Sequence, residues 1–113
     1  MRFEPKDIIF DDDVDVIDEN IIDGYLWATD KIVEMSEYKK CDDDDYINIY
    51  PCYDIKRDEW YVEAVGIMDE KEFTKKLELT ESELDYIANK MIEYYFETKE
   101  NWNDFVKEIY EES

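Results

Sequence analysis

The sequence predicts one α+β domain of order α-β-β-β-α-α, a three-stranded antiparallel sheet packed by helices. Three observations predict it. Apolar residues recur at threes and fours between about residues 15 and 40 and again from Leu84 onward; between Tyr46 and Leu79 the period falls to two; and no linker or internal repeat divides residues 1–113.

The first fifteen residues read as an extended acidic arm, in which Ile8-Ile9-Phe10 precedes the run Asp11-Asp12-Asp13-Val14-Asp15. From Asp15 or Asp18 onward, Ile17, Ile21, Ile22, Tyr25, Leu26, Ala28, Ile32, Val33 and Met35 form the stripe of an amphipathic helix. Asp18 and Glu19 near its start and Lys39-Lys40 near its end suit the helix dipole. Gly24 costs such a helix about 1 kcal/mol relative to Ala and therefore marks a close packing contact.

After the second acidic run, Asp42 to Asp45, the segment Tyr46–Ile55 places Ile47, Ile49, Tyr53 and Ile55 on one face of a strand. The charged turn Lys56-Arg57-Asp58-Glu59 leads to Trp60–Met68, and the two segments read as a hairpin. Pro51 has no N–H for a ladder, which predicts an edge strand or a bulge. A third strand, Phe73 to Leu79, follows Asp69-Glu70-Lys71. Thr80-Glu81-Ser82-Glu83 is a capping box that opens a helix with the stripe Leu84, Ile87, Ala88, Met91 and Tyr95. A last helix runs from about Asn101 to Tyr110, with Trp102, Phe105, Val106 and Ile109 on one side. Trp60, Phe73, Tyr95, Trp102 and Phe105 are expected in the core, while Tyr46, Tyr50, Tyr86 and Tyr94 lie off the apolar stripes.

Composition narrows the function. With 13 Lys+Arg against 34 Asp+Glu the net charge is −21, which argues against nucleic acid or an anionic membrane as a direct ligand. Ile, Leu, Val and Phe make up 28 of 113 residues, enough for a folded domain despite that repulsion. Histidine is absent, and with it the side chain most used for acid–base chemistry near neutral pH. Cys41 and Cys52 form no CxxC pair. There is no phosphate loop, nucleophile elbow or HExxH. Asp11, Asp13 and Asp15 alternate as calcium ligands do, yet Val16 and Ile22 stand where an EF-hand needs Gly and Glu, so the EF-hand reading fails and no cofactor is expected; a module that binds calcium weakly at Asp11 to Asp15 or Asp42 to Asp45 is a third, weaker reading. No apolar stretch approaches eighteen residues and Met1-Arg2-Phe3-Glu4-Pro5 lacks a signal-peptide core, which predicts a cytoplasmic protein; the missing histidine and catalytic motifs predict no enzyme.

The magnitude of the charge points further. Solubility needs a net charge of only about 2 to 8. A domain of this length is roughly 34 Å across, and duplex DNA of that length carries roughly 20 charges. The expected partner is therefore a protein with a basic groove, most commonly one that binds nucleic acid.

A short, very acidic, histidine-free chain of this element order resembles the small DNA-mimicking inhibitors of phages and mobile elements. Among them it most resembles the type II-A anti-CRISPR proteins that occupy the site where Cas9 reads its short motif. The likeness lies in the tail, from Thr80-Glu81-Ser82-Glu83-Leu84 through Asn101-Trp102-Asn103-Asp104-Phe105, about a third of the chain. The long first helix and the acidic arm depart from that pattern, and anti-restriction proteins that mimic bent DNA are similar in charge. The resemblance implies a non-enzymatic inhibitor acting by occupancy in the cytoplasm of a bacterial host cell, on a nuclease such as Cas9 or on a restriction enzyme. An acidic adaptor or immunity-type protein that binds a basic partner without mimicking DNA is the other class in view. On the mimic reading the contact acids are Asp11, Asp12, Asp13, Asp15, Asp42, Asp43, Asp44, Asp45, Asp69, Glu70, Glu97, Glu100 and Asp104.

Overall fold

In a computed structural model that describes residues 1–112, the chain opens with a 3-10 turn at Pro5–Asp7. There follow β1 (Phe10–Ile17), β2 (Ile21–Leu26), α1 (Asp30–Ser36), β3 (Tyr46–Asp54), β4 (Glu59–Met68), β5 (Lys71–Lys76), α2 (Glu81–Phe96) and α3 (Lys99–Glu112). All five strands pair antiparallel in chain order, β1-β2-β3-β4-β5. The expected three-stranded sheet is thus five-stranded, and the element order is β-β-α-β-β-β-α-α.

The correction falls on residues 15–40. What reads as one long helix is the end of β1, all of β2 and a seven-residue α1. Ile22, Gly24 and Leu26 point into the core, whereas Ile21, Asp23 and Tyr25 alternate onto the opposite face. Because that opposite face also carries Ile and Tyr, the inward and outward residues together imitate a three-and-four spacing. Gly24 does mark a close contact, as its helix cost suggests, but with α2 and from a strand.

Helices cover only one face of the sheet. Ile22, Leu26, Ile49, Val62 and Ala64 form the buried floor, and Ile32 from α1, Ile87 and Met91 from α2 and Trp102 from α3 close over it. Tyr53 and Trp60 pair across β3 and β4; Tyr53 meets Trp102 edge-on at 5.4 Å and Trp60 stacks on it at 5.2 Å between ring centroids. The five aromatics expected in the core all pack in it or against it. Tyr94 is half exposed as expected, while Tyr86 packs on the core beside Phe3.

Two positions settle the sheet's register. Pro51 lies in β3, the central strand, not at an edge. Between β2 and β3, pairs form at Asp23↔Cys52 and Leu26↔Ile49 with a gap where Pro51 faces Gly24, so the missing N–H falls where the ladder is already interrupted. On the other side of that gap, β1 is bulged. Asp11 pairs with Tyr25 and Asp15 with Asp23, leaving Asp12, Asp13 and Val14 opposite Gly24 alone. The hydroxyl of Tyr95 fills the breach: it donates to the Asp11 carbonyl at 2.7 Å and accepts the Tyr25 N–H at 3.0 Å.

The N-terminus is pinned to α2. Thr80 and Glu83 form the expected capping box, the Glu83 N–H donating to Thr80 Oγ1 and the Thr80 N–H to Glu83 Oε1. Glu83 is fully buried, and Arg2 donates to it through its backbone N–H at 2.9 Å and its guanidinium at 2.6 Å. That guanidinium holds the Glu83 carboxyl well below the usual carboxylate range. At the far tips, Asp54 accepts from the Asn20 amide and from the Lys56 and Arg57 N–H groups, joining the β1–β2 and β3–β4 turns.

A side chain at position 24 would meet Tyr95 Cε2 at 2.8 Å. Gly24→Ala is expected to lower stability by about 1–3 kcal/mol, read by urea unfolding; an unchanged midpoint would show that Tyr95 has room to move aside.

Candidate functional site

Charge is segregated across the sheet. The hairpin from Phe10 to Leu26 holds Asp11, Asp12, Asp13, Asp15, Asp18, Glu19 and Asp23 and no basic residue, and its outer strand β1 forms one edge of the sheet. The other edge, β5, carries Lys71, Lys75 and Lys76. On α3, Glu100, Asp104, Glu108 and Glu112 are all exposed at intervals of four residues, a rise of about 6 Å per step. The C-terminal end of α3 meets the acidic hairpin, where Val16 and Glu19 line one cleft with Ile109 and Glu112.

The expected contact acids divide into two groups. Asp12, Asp13 and Asp15 are exposed on β1, with Asp11 half-buried at the bulge, while Glu97, Glu100 and Asp104 are exposed at the α2–α3 junction. Asp42, Asp43, Asp44, Asp69 and Glu70 are exposed together at the opposite end of the sheet. The loop before β3 and the β4–β5 turn meet there because Asp45 ties them. The nine residues of β3 separate that end from the Asp54 end by about 27 Å.

Asp45 itself is a correction. It is buried, and one carboxylate oxygen accepts the N–H groups of Cys41 at 2.8 Å, Asp42 at 3.0 Å and Asp69 at 3.0 Å. Those amides, that of Asp69 foremost, lower its pKa. A carboxylate committed to three backbone donors shapes the acidic loop instead of offering itself to a partner. The sequence did not distinguish it from its three exposed neighbours, since all four sit in one run of Asp.

Backbone conformation adds an independent sign that the acids matter. Among the described residues, eight non-glycine positions have positive φ, between 50° and 67°, and all eight are acidic: Asp12, Asp18, Glu19, Glu37, Asp58, Asp69, Glu70 and Glu97. The two glycines lie in strands. The left-handed region costs an L-residue about 1–2 kcal/mol relative to ordinary backbone, and Asp tolerates it better than Glu. The two-residue β4–β5 turn, closed by the pair Met68↔Lys71, has Asp69-Glu70 where Asn-Gly is the favoured choice.

The face of the sheet away from the helices was not anticipated as a site. Asp15 and Asp23 pair across β1 and β2, and Tyr25, Tyr50, Tyr61 and Glu63 alternate onto the same side. Burial, and then the neighbouring Asp15, push the Asp23 carboxyl up to about 6. Burial likewise pushes the Cys52 thiol beneath it up to about 12, so Cys52 is no nucleophile at neutral pH. The legible signal for this face lay in Tyr46 and Tyr50, set off the apolar stripe of their strand; the four-residue acid spacing on α3 was legible too.

No protein-family model, curated protein or solved structure matches the chain. Among the described residues, no group of three or more Cys, Asp or Glu side chains is arranged to hold a metal ion, and no helix is long and apolar enough to cross a membrane.

Two expectations follow from these groups. Glu70→Gly relieves the left-handed strain and is expected to raise unfolding stability by about 1 kcal/mol; a drop in the chemical melt would mean that the Glu70 side chain holds the turn. Asp23 ionises near 3.8 when unfolded and near 6 when folded, so the stability it contributes is complete below about pH 4 and lost as pH rises through 6. Asp23→Asn should therefore stabilise the protein above pH 6, by about 1 kcal/mol once screening at this half-exposed site is allowed for. The gain should vanish below pH 4, as melts across that range would show.

Proposed function

We propose that the chain is a non-enzymatic DNA mimic that occupies the basic DNA-binding groove of a nuclease, with Cas9 as the target its resemblance selects. The observation that carries this reading is the segregation of charge. A surface made acidic for solubility would intersperse both signs, whereas here the seven acids of the β1–β2 hairpin have no basic residue among them and the lysines of the strands all stand on the far edge, β5. The scale agrees with it: the molecule is 43 Å in its longest extent, over which a duplex carries about 25 charges, against the net −21 of this chain. Acids kept at left-handed positions, where glycine or asparagine would fold more easily, support a demand for charge that outweighs backbone comfort.

The mechanism is occupancy. Carboxylates at four-residue intervals on α3 and along the bulged β1 offer a groove's Lys and Arg side chains the single negative charges they otherwise take from phosphates. Long-range attraction speeds the encounter, and salt screens it.

The test is competition for labelled duplex bound to guide-loaded Cas9, with a restriction enzyme run in parallel. Displacement is expected, with affinity falling about tenfold or more between 50 and 200 mM salt. Charge reversal to Lys at Asp12, Asp13, Asp15, Glu100, Asp104 and Glu108 should abolish it while the melt stays cooperative. Displacement from the restriction enzyme alone would reassign the target. Binding alongside DNA, or undiminished inhibition by the reversed variant, would overturn mimicry in favour of an acidic adaptor.

A further inference from the structure

The side of the sheet that no helix covers carries a surface of different character from the acidic edge. Trp27 and Tyr46 lie on it with 51 and 53% of their surface exposed, outside the core cluster. Tyr25 stands beside Trp27, edge-on to it at 6.3 Å and to Tyr50 at 5.9 Å, its hydroxyl donating to Asn48 Oδ1. Exposed aromatics gathered on one face are the usual composition of an interface, and scattered surface residues do not produce it.

The charges around them select the partner. Asp15, Asp23 and Glu63 share this face, and none of the ion pairs among the described residues involves any of the three. An apolar partner would strip water from these carboxylates without replacing it. A cation would satisfy them and lie on the rings as well. The face already holds one cation in this way, since the Lys76 ammonium sits 4.5 Å above the Tyr61 ring. Arginine fits better than lysine, because its planar guanidinium stacks on an aromatic ring while pairing bidentately with a carboxylate.

We infer that the open sheet face docks an arginine-bearing segment of a basic protein partner, with guanidinium groups lying over Tyr25, Trp27, Tyr46 and Tyr50 and pairing with Asp15, Asp23 and Glu63. The inference rests on the reading above only in taking the partner to be basic. It adds a second contact surface, one that recognises side-chain shape as well as charge. Burial first and the neighbouring Asp15 second raise the Asp23 carboxyl, and an incoming cation would relieve the second of these.

The probes are nona-arginine and nona-lysine peptides, titrated at equal ionic strength into the isotope-labelled full chain and followed by NMR. The arginine peptide is expected to bind about tenfold tighter and to shift the Trp27 indole and the Tyr25, Asp23 and Tyr50 signals. The double variant Trp27→Ala, Tyr46→Ala, both half-exposed and outside the core, should weaken the arginine peptide at least about fivefold. Its melting temperature and its affinity for the lysine peptide should stay unchanged. Equal affinity for the two peptides, or shifts confined to the outer edge of β1 and to α3, would overturn the inference while leaving DNA mimicry intact. Arginine-selective binding on this face by a chain that fails to displace DNA would do the reverse.

Discussion

Tyr95 reaches from α2 into the bulge of β1, where its hydroxyl accepts the Tyr25 amide and donates to the Asp11 carbonyl, and the acidic hairpin depends on that anchor. Three residues of β1, two of them aspartates, have no partners across the ladder at that point, and their charges repel one another and Asp23 behind them. Without a donor for the Asp11 carbonyl, the strand would leave an interrupted edge that water and repulsion pull apart. Gly24 is the matching requirement on β2, because only a residue without Cβ lets the phenol ring lie flat against the strand. The Arg2–Glu83 contact holds the preceding chain to the same helix at its other end. An edge strand half of whose eight residues are aspartate is thus fastened at its bulge by one uncharged side chain that charge does not weaken.

How far the sequence foretold this structure follows from what each residue does. The Thr80–Glu83 capping box announced α2 because both partners are local. The β3–β4 hairpin announced itself because Ile47, Ile49 and Tyr53 alternate against polar positions. Residues 15–40 misled because β2 is apolar on both sides, one for the core and one for an exposed face, which erases the alternation that identifies a strand. Pro51 pointed to an edge because an interruption contributed by Gly24 on a different strand cannot be read locally. The exposed acids were legible as runs. The internal role of Asp45 was not, since it depends on three backbone amides brought together only by the fold.

The same conflict between charge and fold explains the turns. Glu19, Glu70 and Glu97 occupy backbone that Glu adopts reluctantly, and Asp12, Asp18 and Asp69 occupy it somewhat more easily. Stability is spent there to keep carboxylates at the turns of the hairpins, at the β1 bulge and at the α2–α3 junction. The core compensates with a dense aromatic cluster in which Trp102 contacts Tyr53, Trp60 and Phe96. Large apolar area close to the α2–α3 junction allows a domain with net charge −21 to remain folded.

The opposition between an acidic β1 edge and a lysine-bearing β5 edge has a consequence for motion in solution. Separated charges of opposite sign give the molecule an electric moment directed across the strands. In the field of a positively charged cleft that moment produces a torque, which turns the approaching molecule before any atoms touch. The β1–β2 hairpin rotates inward and Lys71, Lys75 and Lys76 rotate away. Arrival is then already oriented, so a smaller share of collisions is wasted on misaligned approaches than for a uniformly charged sphere of the same total.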